Sequence, residues 1–504
     1  MLPLISPAAM RDMEQRYFAG TGTPSIDLME RAARALTVSL SKRYGLDKLI
    51  GFACGPGGNG GDGYACARMY AKIGGKCAVF PAAPPRTPDA VRNRARALEM
   101  GVPEMTLEDL GASPDIWVDA LYGTGLSRAP EGVAARLIER MNADAANGVP
   151  LVAVDIPSGL NGATGTAFSP CVRADVTVTF QFAKTGHFLA DGLDMCGEVE
   201  TVDIDIPPAF FPESMAGLMT AADARAVLPE KPRNAHKGNN GHLLIVAGSV
   251  GMAGAAAMCA LSALRSGAGL VTVACPASVL PVVQTLAPCA MALPLPEANG
   301  AISAGAADVL SDALTGKSAA VCGCGLSLRA APEAVRLMLT CGVPTLFDAD
   351  ALNLIARDDG LKALLRPHHL ITPHPGEAAR LLGRRATDPI PDALALSELG
   401  CQALLKGATS VIAVNGIPRL SASGCQGMAK GGSGDVLAGL AGSLMAQRTA
   451  SGVAMTGAAL AETAAAASEL HGLAGELAQA KLGPMGMCAI DIVDALPRAL
   501  SGDA

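Results

Sequence analysis

The chain has 504 residues, which is too long for one ordinary hydrophobic core, so two or three domains are expected. Half of the residues are hydrophobic and only 17% are charged, so a sizeable core can form. The net charge of -7 and the 3% aromatic content argue against a basic, base-stacking surface, so no nucleic-acid partner is expected.

The 14 cysteines are scattered from Cys54 to Cys488 without a CxxC pair. Cys322 and Cys324 lie close together, but no His or Cys follows at zinc-site spacing. We therefore expect reduced thiols in a cytoplasmic protein. Residues 1–7 lack the basic and then apolar pattern of a signal peptide, and no apolar run reaches membrane-spanning length uninterrupted, so no membrane partner is expected.

The first half of the chain alternates strand-like and helix-like segments. Two helices are predicted between residues 6 and 44, and a helix is predicted at 64–72. The strands are predicted at 49–54, 76–80, 116–121, 151–156, 175–182 and 199–206. Short buried strands that alternate with helices predict a parallel, doubly wound sheet.

A proline-rich stretch separates this half from a second one. It runs over residues 207–241 and predicts a domain boundary near 218, which gives domains 1–217 and 218–504. The alternation then restarts, which predicts a second α/β domain. Its strands are predicted at 243–247, 270–275, 319–323, 344–348, 370–372 and 411–414, and its helices at 254–266, 435–446 and 454–474.

Three glycine-containing turns follow predicted strands of the first half. They cover residues 58–62, 119–126 and 155–159, and each carries a carboxylate. In open α/β sheets, ligands bind beyond the carboxyl ends of the strands, where glycines let the backbone approach a phosphate. One such loop could be a plain turn, but three with carboxylates favour a ligand site.

Together with the segment Leu28–Ala33 and the strand 174–180 followed by Lys184, these motifs resemble the epimerase domain of NAD(P)H-hydrate repair proteins over residues 6–207. The resemblance implies a Rossmann-like fold that interconverts the R and S epimers of hydrated NADH and NADPH. It implies that Asp155 is the acid/base residue, and that potassium is bound through Asn59, Asp119 and Ser158. The residues implied to cradle the dinucleotide are Gly58, Asn59, Gly60, Gly61, Asp62, Gly123, Thr124, Gly125, Leu126, Ser127, Arg128 and Ala129.

Two residues depart from the family pattern, and one role has an alternative. Many relatives carry Asn where this chain has Gly58, and Arg128 stands where a small residue is usual. Asp155 could instead cap the turn before Pro157, since Asp is a common local cap. The oxygen-only donor set of the predicted metal site suits a hard cation and not zinc or copper.

The strongest motif of the second half is the Gly-Gly-Ser-Gly-Asp segment at 431–435, which precedes an apolar helix. Free N–H groups at a helix start form an anion hole, and Asp435 at its rim could accept the proton of an attacking hydroxyl. The pattern is shared by kinases of the ribokinase type. The alternative is that Asp435 is an ordinary helix N-cap.

Further motifs at 237–249, 323–326, 348–353, 372–377 and 405–409 complete a resemblance to ADP- or ATP-dependent NAD(P)H-hydrate dehydratases over residues 226–500. The resemblance implies a ribokinase-like α/β domain with Asp435 as catalytic base. The nucleotide contacts it implies are Lys406, Gly407, Ala408, Thr409, Ser410 and Gly434. The hydrate pocket it implies is lined by Ala253, Gly325, His374 and Asp435. His374 stands between two prolines and could instead be structural.

The two resemblances imply one bifunctional repair enzyme. The dehydratase would phosphorylate the ring hydroxyl of the S-hydrate with ADP or ATP and magnesium, and loss of phosphate would restore the nicotinamide. Bacterial relatives usually take ADP, which favours ADP here. The Ala-rich helices suggest a homo-oligomer. The alternatives are a plain small-molecule kinase and a non-catalytic N-terminal scaffold.

Overall fold

The computed structural model describes residues 1–502. The chain divides into two compact units: one spans Pro3–Ala216, and the other comprises Met1–Leu2 and the chain from Gly217 onward. The fold-class prediction is confirmed, because each unit alternates strands with helices around a largely parallel sheet. No helix within the described residues is both long and apolar enough to cross a membrane.

The N-terminal unit is a doubly wound sandwich. Its sheet has the order β3-β2-β4-β5-β6-β8 with every pair parallel, and β1 forms a separate parallel pair with β7. The strands are β1 (Leu2–Ile5), β2 (Leu49–Cys54), β3 (Lys76–Pro81), β4 (Ile116–Ala120), β5 (Leu151–Val154), β6 (Val176–Phe180), β7 (Ala183–Lys184) and β8 (Glu198–Val202). The helices are α1 (Pro7–Thr21), α2 (Ser25–Tyr44), α3 (Gly58–Lys72), α4 (Pro88–Glu99), α5 (Gly132–Ala146) and α6 (Gly192–Met195).

The strand order indicates where a ligand crevice lies. The chain passes from β2 to β3 on one side and then to β4 on the other, so the winding direction reverses between β2 and β4. In such folds, ligands bind at that reversal, beyond the carboxyl ends of the strands. Alternate strand residues bury both faces of the sheet: Phe52 packs with α1–α3, and Ala53 packs with α5.

Several predicted boundaries in this unit were wrong. Helix α3 begins at Gly58 and not at Tyr64, so residues 58–62 form its first turn and are not a loop. Strand β6 ends at Phe180, because Gln181 has a φ of 60° that breaks the extended backbone. Strand β8 ends at Val202 and not at residue 206.

The C-terminal unit is built on a longer sheet in the order β12-β11-β10-β15-β16-β17-β18-β19-β20-β9. The strands from β12 to β18 are parallel, while β18, β19 and β20 run antiparallel. The strands are β9 (Ala216–Leu218), β10 (His242–Val246), β11 (Leu270–Pro276), β12 (Met291–Leu295), β13 (Glu297–Ala298), β14 (Ala301–Ile302), β15 (Ala319–Cys322), β16 (Thr345–Phe347), β17 (His369–Ile371), β18 (Gln402–Leu405), β19 (Ser410–Val414) and β20 (Ile417–Ser421).

The helices of this unit include the long Ala-rich ones near its end. They are α7 (Ala221–Ala226), α8 (Ala253–Arg265), α9 (Leu280–Leu286), α10 (Ala306–Ala313), α11 (Pro332–Thr340), α12 (Asp350–Arg357), α13 (Asp359–Lys362), α14 (Pro375–Leu382), α15 (Pro389–Ser397), α16 (Ser433–Ala450), α17 (Gly457–Gly486, interrupted at Gly483) and α18 (Ala489–Ser501). Every residue of α16 from Val436 to Gln447 is buried. A Cβ on Gly439 would lie 2.2 Å from the Cys259 carbonyl oxygen of α8. Packing inside this unit therefore accounts for the small residues of α16, and they carry no information about an oligomer.

Candidate functional sites

The N-terminal unit holds a cavity of about 560 Å³ at the carboxyl ends of its central strands. Most of the predicted cradle residues line it, together with Asp155. They are Gly58, Asn59, Asp62, Gly123, Thr124, Gly125, Leu126, Ser127 and Arg128. The cavity lies at the reversal between β2 and β4, where the strand order places the ligand crevice.

Two glycines of the first motif lie on the packed side of α3. A Cβ on Gly60 would lie 1.9 Å from the Gly55 carbonyl oxygen, and one on Gly61 would lie 2.7 Å from the Met29 side chain. A Cβ on Gly58 would meet no atom within 4 Å, so this position has room for the larger side chain of many relatives. Gly60 and Gly61 thus hold the helix start in place for the residues that line the cavity.

Asp119 and Ser158 form a buried pair that joins the end of β4 to the loop after β5. The Ser158 backbone N–H donates to Asp119 Oδ2 at 2.7 Å, and the Ser158 hydroxyl donates to Oδ1 at 2.6 Å. The Leu121 N–H donates to the same Oδ1 at 3.1 Å. Burial raises the pKa of Asp119 to about 6, although these hydrogen bonds lower it.

The donors around this pair fit a hard monovalent cation. Within residues 1–502, no Lys or Arg side chain forms an ion pair with Asp119. The Asn59 side-chain nitrogen is buried without a hydrogen-bond partner among the same residues, and its amide lies beside Gly123. The Asp119 carboxylate and the Asn59 amide oxygen are oxygen ligands of the kind that a hard cation prefers, whereas the unpartnered Asn59 N–H group needs an acceptor and binds no cation itself. The described residues show no cluster of His, Cys, Asp and Glu that could hold a transition metal.

Asp155 lies directly after β5 and faces the cavity. Its φ of 65° turns the chain sharply at this point. Lys184 donates from Nζ to Asp155 Oδ1 at 2.5 Å, and the Thr179 hydroxyl donates to the same oxygen at 2.9 Å. The side chain therefore binds Lys184 and Thr179 and does not cap the turn before Pro157, so the capping alternative is wrong.

Lys184 determines the charge state of Asp155. Lys184 is 1% exposed, and its ammonium also donates to Thr179 Oγ1 at 2.8 Å and to the Phe180 carbonyl at 3.2 Å. Burial is the largest single influence and acts against the charged form of Asp155, but the Lys184 charge, its hydrogen bond and the smaller effects of His187 and Thr179 together lower the pKa of Asp155. Thr179 and Lys184 both belonged to the sequence motif, but neither was assigned a role.

The second site lies at the carboxyl ends of the parallel strands of the C-terminal unit. Helix α16 begins at Ser433 with Gly432 as its N-cap, so Asp435 lies in the first turn. The alternative that Asp435 is the N-cap is therefore wrong. Burial first, and then the negative charge of Asp348, raise the pKa of Asp435 to about 6, while a hydrogen bond from the Cys324 thiol lowers it.

Lys406 and Gly434 meet at this helix start. Lys406 donates from Nζ to Asp348 Oδ1 at 2.6 Å, and Asp348 is 3% exposed. A Cβ on Gly434 would lie 3.4 Å from Lys406 Nζ and 3.7 Å from Asp348 Oδ2. The structure thus brings these predicted residues together with Asp348, which was quoted in a motif but not assigned to the site.

Of the remaining predicted nucleotide residues, Gly407, Ala408 and Thr409 lie in the turn after β18, and Ser410 begins β19. Gly407 and Ala408 are exposed, whereas Thr409 and Ser410 are buried. Strand β18 itself was not predicted, and it positions Lys406 because it ends at Leu405.

The predicted hydrate-pocket residues adjoin this site. A Cβ on Gly325 would lie 2.7 Å from the Met252 carbonyl oxygen, next to Ala253 at the start of α8. The ring of His374 accepts a hydrogen bond from the Gly376 N–H at 3.0 Å and thereby caps α14. The structural reading of His374 is thus observed, and half of its side chain remains exposed.

Two family comparisons divide the chain as the motifs do. Residues 243–498 match the family described as NAD(P)H-hydrate dehydratase, and residues 25–186 match the family described as YjeF-related protein N-terminus.

Individual relatives extend over nearly the whole chain. The bifunctional NAD(P)H-hydrate repair enzyme of Moorella thermoacetica is 36% identical over 527 residues, which cover 99% of this chain and 96% of the relative. The enzyme of the same name from Escherichia coli K12 is 32% identical over 95% of this chain and 90% of its own length. A crystal structure of the ADP/ATP-dependent NAD(P)H-hydrate dehydratase of Bacillus subtilis with ATP/Mg²⁺ is 28% identical, with a TM-score of 0.48 over 57% of this chain and 98% of that chain. The chain belongs to the family of bifunctional NAD(P)H-hydrate repair enzymes.

Proposed function

We propose that this chain repairs hydrated nicotinamide cofactors in two steps. The N-terminal site epimerises the R and S forms of hydrated NADH and NADPH, and the C-terminal site dehydrates the S form at the expense of ADP or ATP. The observation that supports it best is one partly buried carboxylate with its own charged neighbours in each unit: Asp155 with Lys184, and Asp435 beside Lys406 and Asp348. We assign the epimerase to residues 1–217 and the dehydratase to residues 218–504, in the cytoplasm.

Epimerisation needs the hydroxyl-bearing C6 centre of the hydrate to open and reclose. Asp155 is held in its ionised state by Lys184 and lines the cavity, so it is available to take a proton. The cradle of Gly58, Asn59 and Asp62 with residues 123–128 would bind the dinucleotide. Asn59, Asp119 and Ser158 would hold a potassium ion, which would offset the buried carboxylate and hold the three loops together.

Dehydration begins with transfer of the terminal phosphoryl group of the nucleotide to the ring hydroxyl. Asp435 would accept the hydroxyl proton, and its raised pKa of about 6 makes it a competent base at neutral pH. The free N–H groups at the start of α16, Gly434 among them, would stabilise the phosphoryl charge as it develops. Phosphate then leaves with its C–O electron pair, the ring loses a proton, and the nicotinamide double bond is restored.

Lys406 would have a role in the site both without and with a bound nucleotide. In the structure its ammonium is paired with Asp348 beside Gly434. A nucleotide phosphate bound at the helix start would share this ammonium. The turn Gly407–Ser410 would carry the rest of the nucleotide, while Ala253, Gly325 and His374 would line the hydrate pocket. Magnesium would accompany the nucleotide phosphates, with the Asp348 carboxylate available to it.

The experiment is recovery of reduced-nicotinamide absorbance from a mixture of both hydrate epimers, with ADP and with ATP. The full chain should recover all of the cofactor, and Asp155→Asn should recover only the S half. Asp435→Asn should slow recovery by on the order of a hundredfold or more, while still binding nucleotide. A plain kinase would instead leave a stable phosphorylated product and no absorbance gain, and a non-catalytic N-terminal unit would leave the R half untouched.

The potassium assignment has its own test. Epimerisation in potassium-free buffer should slow, and Asp119→Ala should slow it and weaken dinucleotide binding as well. A crystal soaked with a heavier monovalent ion should show an anomalous peak between Asn59 and Asp119. Full activity without potassium and no such peak would remove the ion from the site.

A further inference from the structure

One wall of the N-terminal cavity is formed by α1, which precedes all of the predicted glycine motifs. Met10, Arg11, Glu14 and Phe18 line the cavity. Their spacing places them along one face of the helix. Asp12, Gln15 and Arg16 on the other side of this helix are exposed. Glu14 therefore stands on the face that covers the cavity, in the same lining as Asp155.

No structural partner explains Glu14. Within residues 1–502, its carboxyl group forms neither a hydrogen bond nor an ion pair. The surface ion pair of the same helix is made instead by Asp12 and Arg16, at 2.9 Å. A half-buried carboxyl group without a partner costs stability, so its presence in a cavity points to a function.

The basic side chains around the cavity do not form an ion pair with Glu14. Lys184 is engaged by Asp155 at 2.5 Å. Burial first, and then the negative charge of Asp155, raise the pKa of Glu14 to about 7, against the lowering effects of Lys184 and Arg11. The other titratable groups that line the cavity are Asp62, Asp89, Tyr122 and Arg128. Burial also raises the pKa of Asp62 well above its usual range, but Asp62 belongs to the predicted dinucleotide cradle. Glu14 and Asp155 lie on different elements and have pKa values that are shifted in opposite directions, which suits an acid and a base.

We propose that Glu14 is the second proton-transfer group of the epimerase site and works as the acid opposite the Asp155 base. The inference rests on the proposed epimerisation, and it assigns to α1 a chemical role in it.

The step balances without any further reactant. Asp155 takes the proton of the C6 hydroxyl, the oxygen electron pair forms a C6 carbonyl, and the C6–N1 bond breaks with its electron pair left on N1. Glu14 gives its proton to N1. Rotation about C5–C6 then presents the other face of the carbonyl to N1. When N1 attacks, its proton returns to Glu14 and the oxygen takes back the proton held by Asp155. Nothing is oxidised, and both side chains return to their starting states.

The test uses the full chain with the R-hydrate alone, so that cofactor recovery requires epimerisation. Glu14→Gln keeps the size of the side chain but removes the transferable proton. We expect its kcat to fall by about a hundredfold to ten-thousandfold with little change in KM. The wild-type rate should also fall above a pH of about 7, where Glu14 loses its proton, and the variant should lack this fall. The matched control, Asp12→Asn on the exposed side of the same helix, should behave like the wild type.

Three outcomes separate the possibilities. An inactive Asp155→Asn with a normal Glu14→Gln would overturn this inference and leave the proposed function standing. Normal rates in both variants would remove the proposed epimerase site itself. A slow Glu14→Gln that keeps the wild-type pH profile would show a structural role and also overturn the inference. Dehydration of the pure S-hydrate and the fluorescence of buried Trp117 report whether the variants are folded.

Discussion

Replacing Lys184 by Met should destabilise the N-terminal unit. Lys184 is 1% exposed and its ammonium donates hydrogen bonds to Asp155, Thr179 and the Phe180 carbonyl. Asp155 is itself only 15% exposed. Met fills most of the same volume, so the main change is the loss of the positive charge. The variant would leave the mostly buried Asp155 carboxylate without its cation, with the Thr179 hydroxyl as its remaining side-chain donor.

The size of the effect follows from that unpaired charge. Removing one partner of a buried ion pair costs about 3–5 kcal/mol. With a urea m-value of about 2.5 kcal/mol/M, the unfolding midpoint should fall by about 1–2 M. The chain has a single tryptophan, and Trp117 is buried in the N-terminal unit, so its fluorescence follows the unfolding of that unit alone.

The control is the double variant Lys184→Met with Asp155→Asn, which removes both charges. It should recover more than half of the lost stability, because no unpaired charge remains. A midpoint shift below about 0.3 M in the single variant would refute the reasoning, since it would mean that Asp155 is solvated or neutral without Lys184. A double variant as unstable as the single one would assign the loss to packing.

Two further predictions concern the base of the second site and the packing of α3. Because Asp435 acts as a base, dehydration requires its ionised form, so kcat/KM should rise with pH through about 6 and level off above it in a pH–rate profile. A flat profile between pH 5 and pH 7 would contradict this assignment. Gly60→Ala should destabilise the N-terminal unit by about 1–3 kcal/mol or more, because its Cβ would lie 1.9 Å from the Gly55 carbonyl oxygen. Gly58→Ala, where a Cβ meets no atom within 4 Å, is the matched control and should leave the Trp117 unfolding midpoint unchanged or raise it.

Hydrophobic patterning was sufficient to predict most of the parallel strands, but it missed β12 and β18 and the ends of several elements. Apolar runs such as Leu49–Cys54 stand out in the sequence, and in the structure every residue of this run after the first is buried. The start of α3 was not predicted because Gly and Asn disfavour helices. The close packing of Gly60 and Gly61 against Gly55 and Met29, which leaves no room for a side chain, is visible only in the structure. The two-residue strand β7 carries no periodic signal at all.

Side-chain partners were the part of the sites that the sequence could not supply. Asp155 and Asp435 follow from strand and helix ends, but their partners lie far along the chain or on other elements. Lys184 reaches Asp155 across 29 positions, and Lys406 reaches Asp348 across 58. Nothing in the sequence marked Glu14 as a functional residue, because an acidic residue on an amphipathic helix is usually solvated. Only the position of α1 over the cavity distinguishes it.

The buried cysteines can report when each unit of the chain unfolds. Nine of the 14 thiols are buried and three are half-buried, while Cys289 and Cys488 are exposed. Burial raises the pKa of Cys66 and of Cys322 to about 12, so neither reacts with an alkylating reagent while its unit stays folded. Brief alkylation in mild denaturant, followed by mass spectrometry of the peptides, would time the opening of each unit separately. The exposed pair would serve as the internal reference for reagent access.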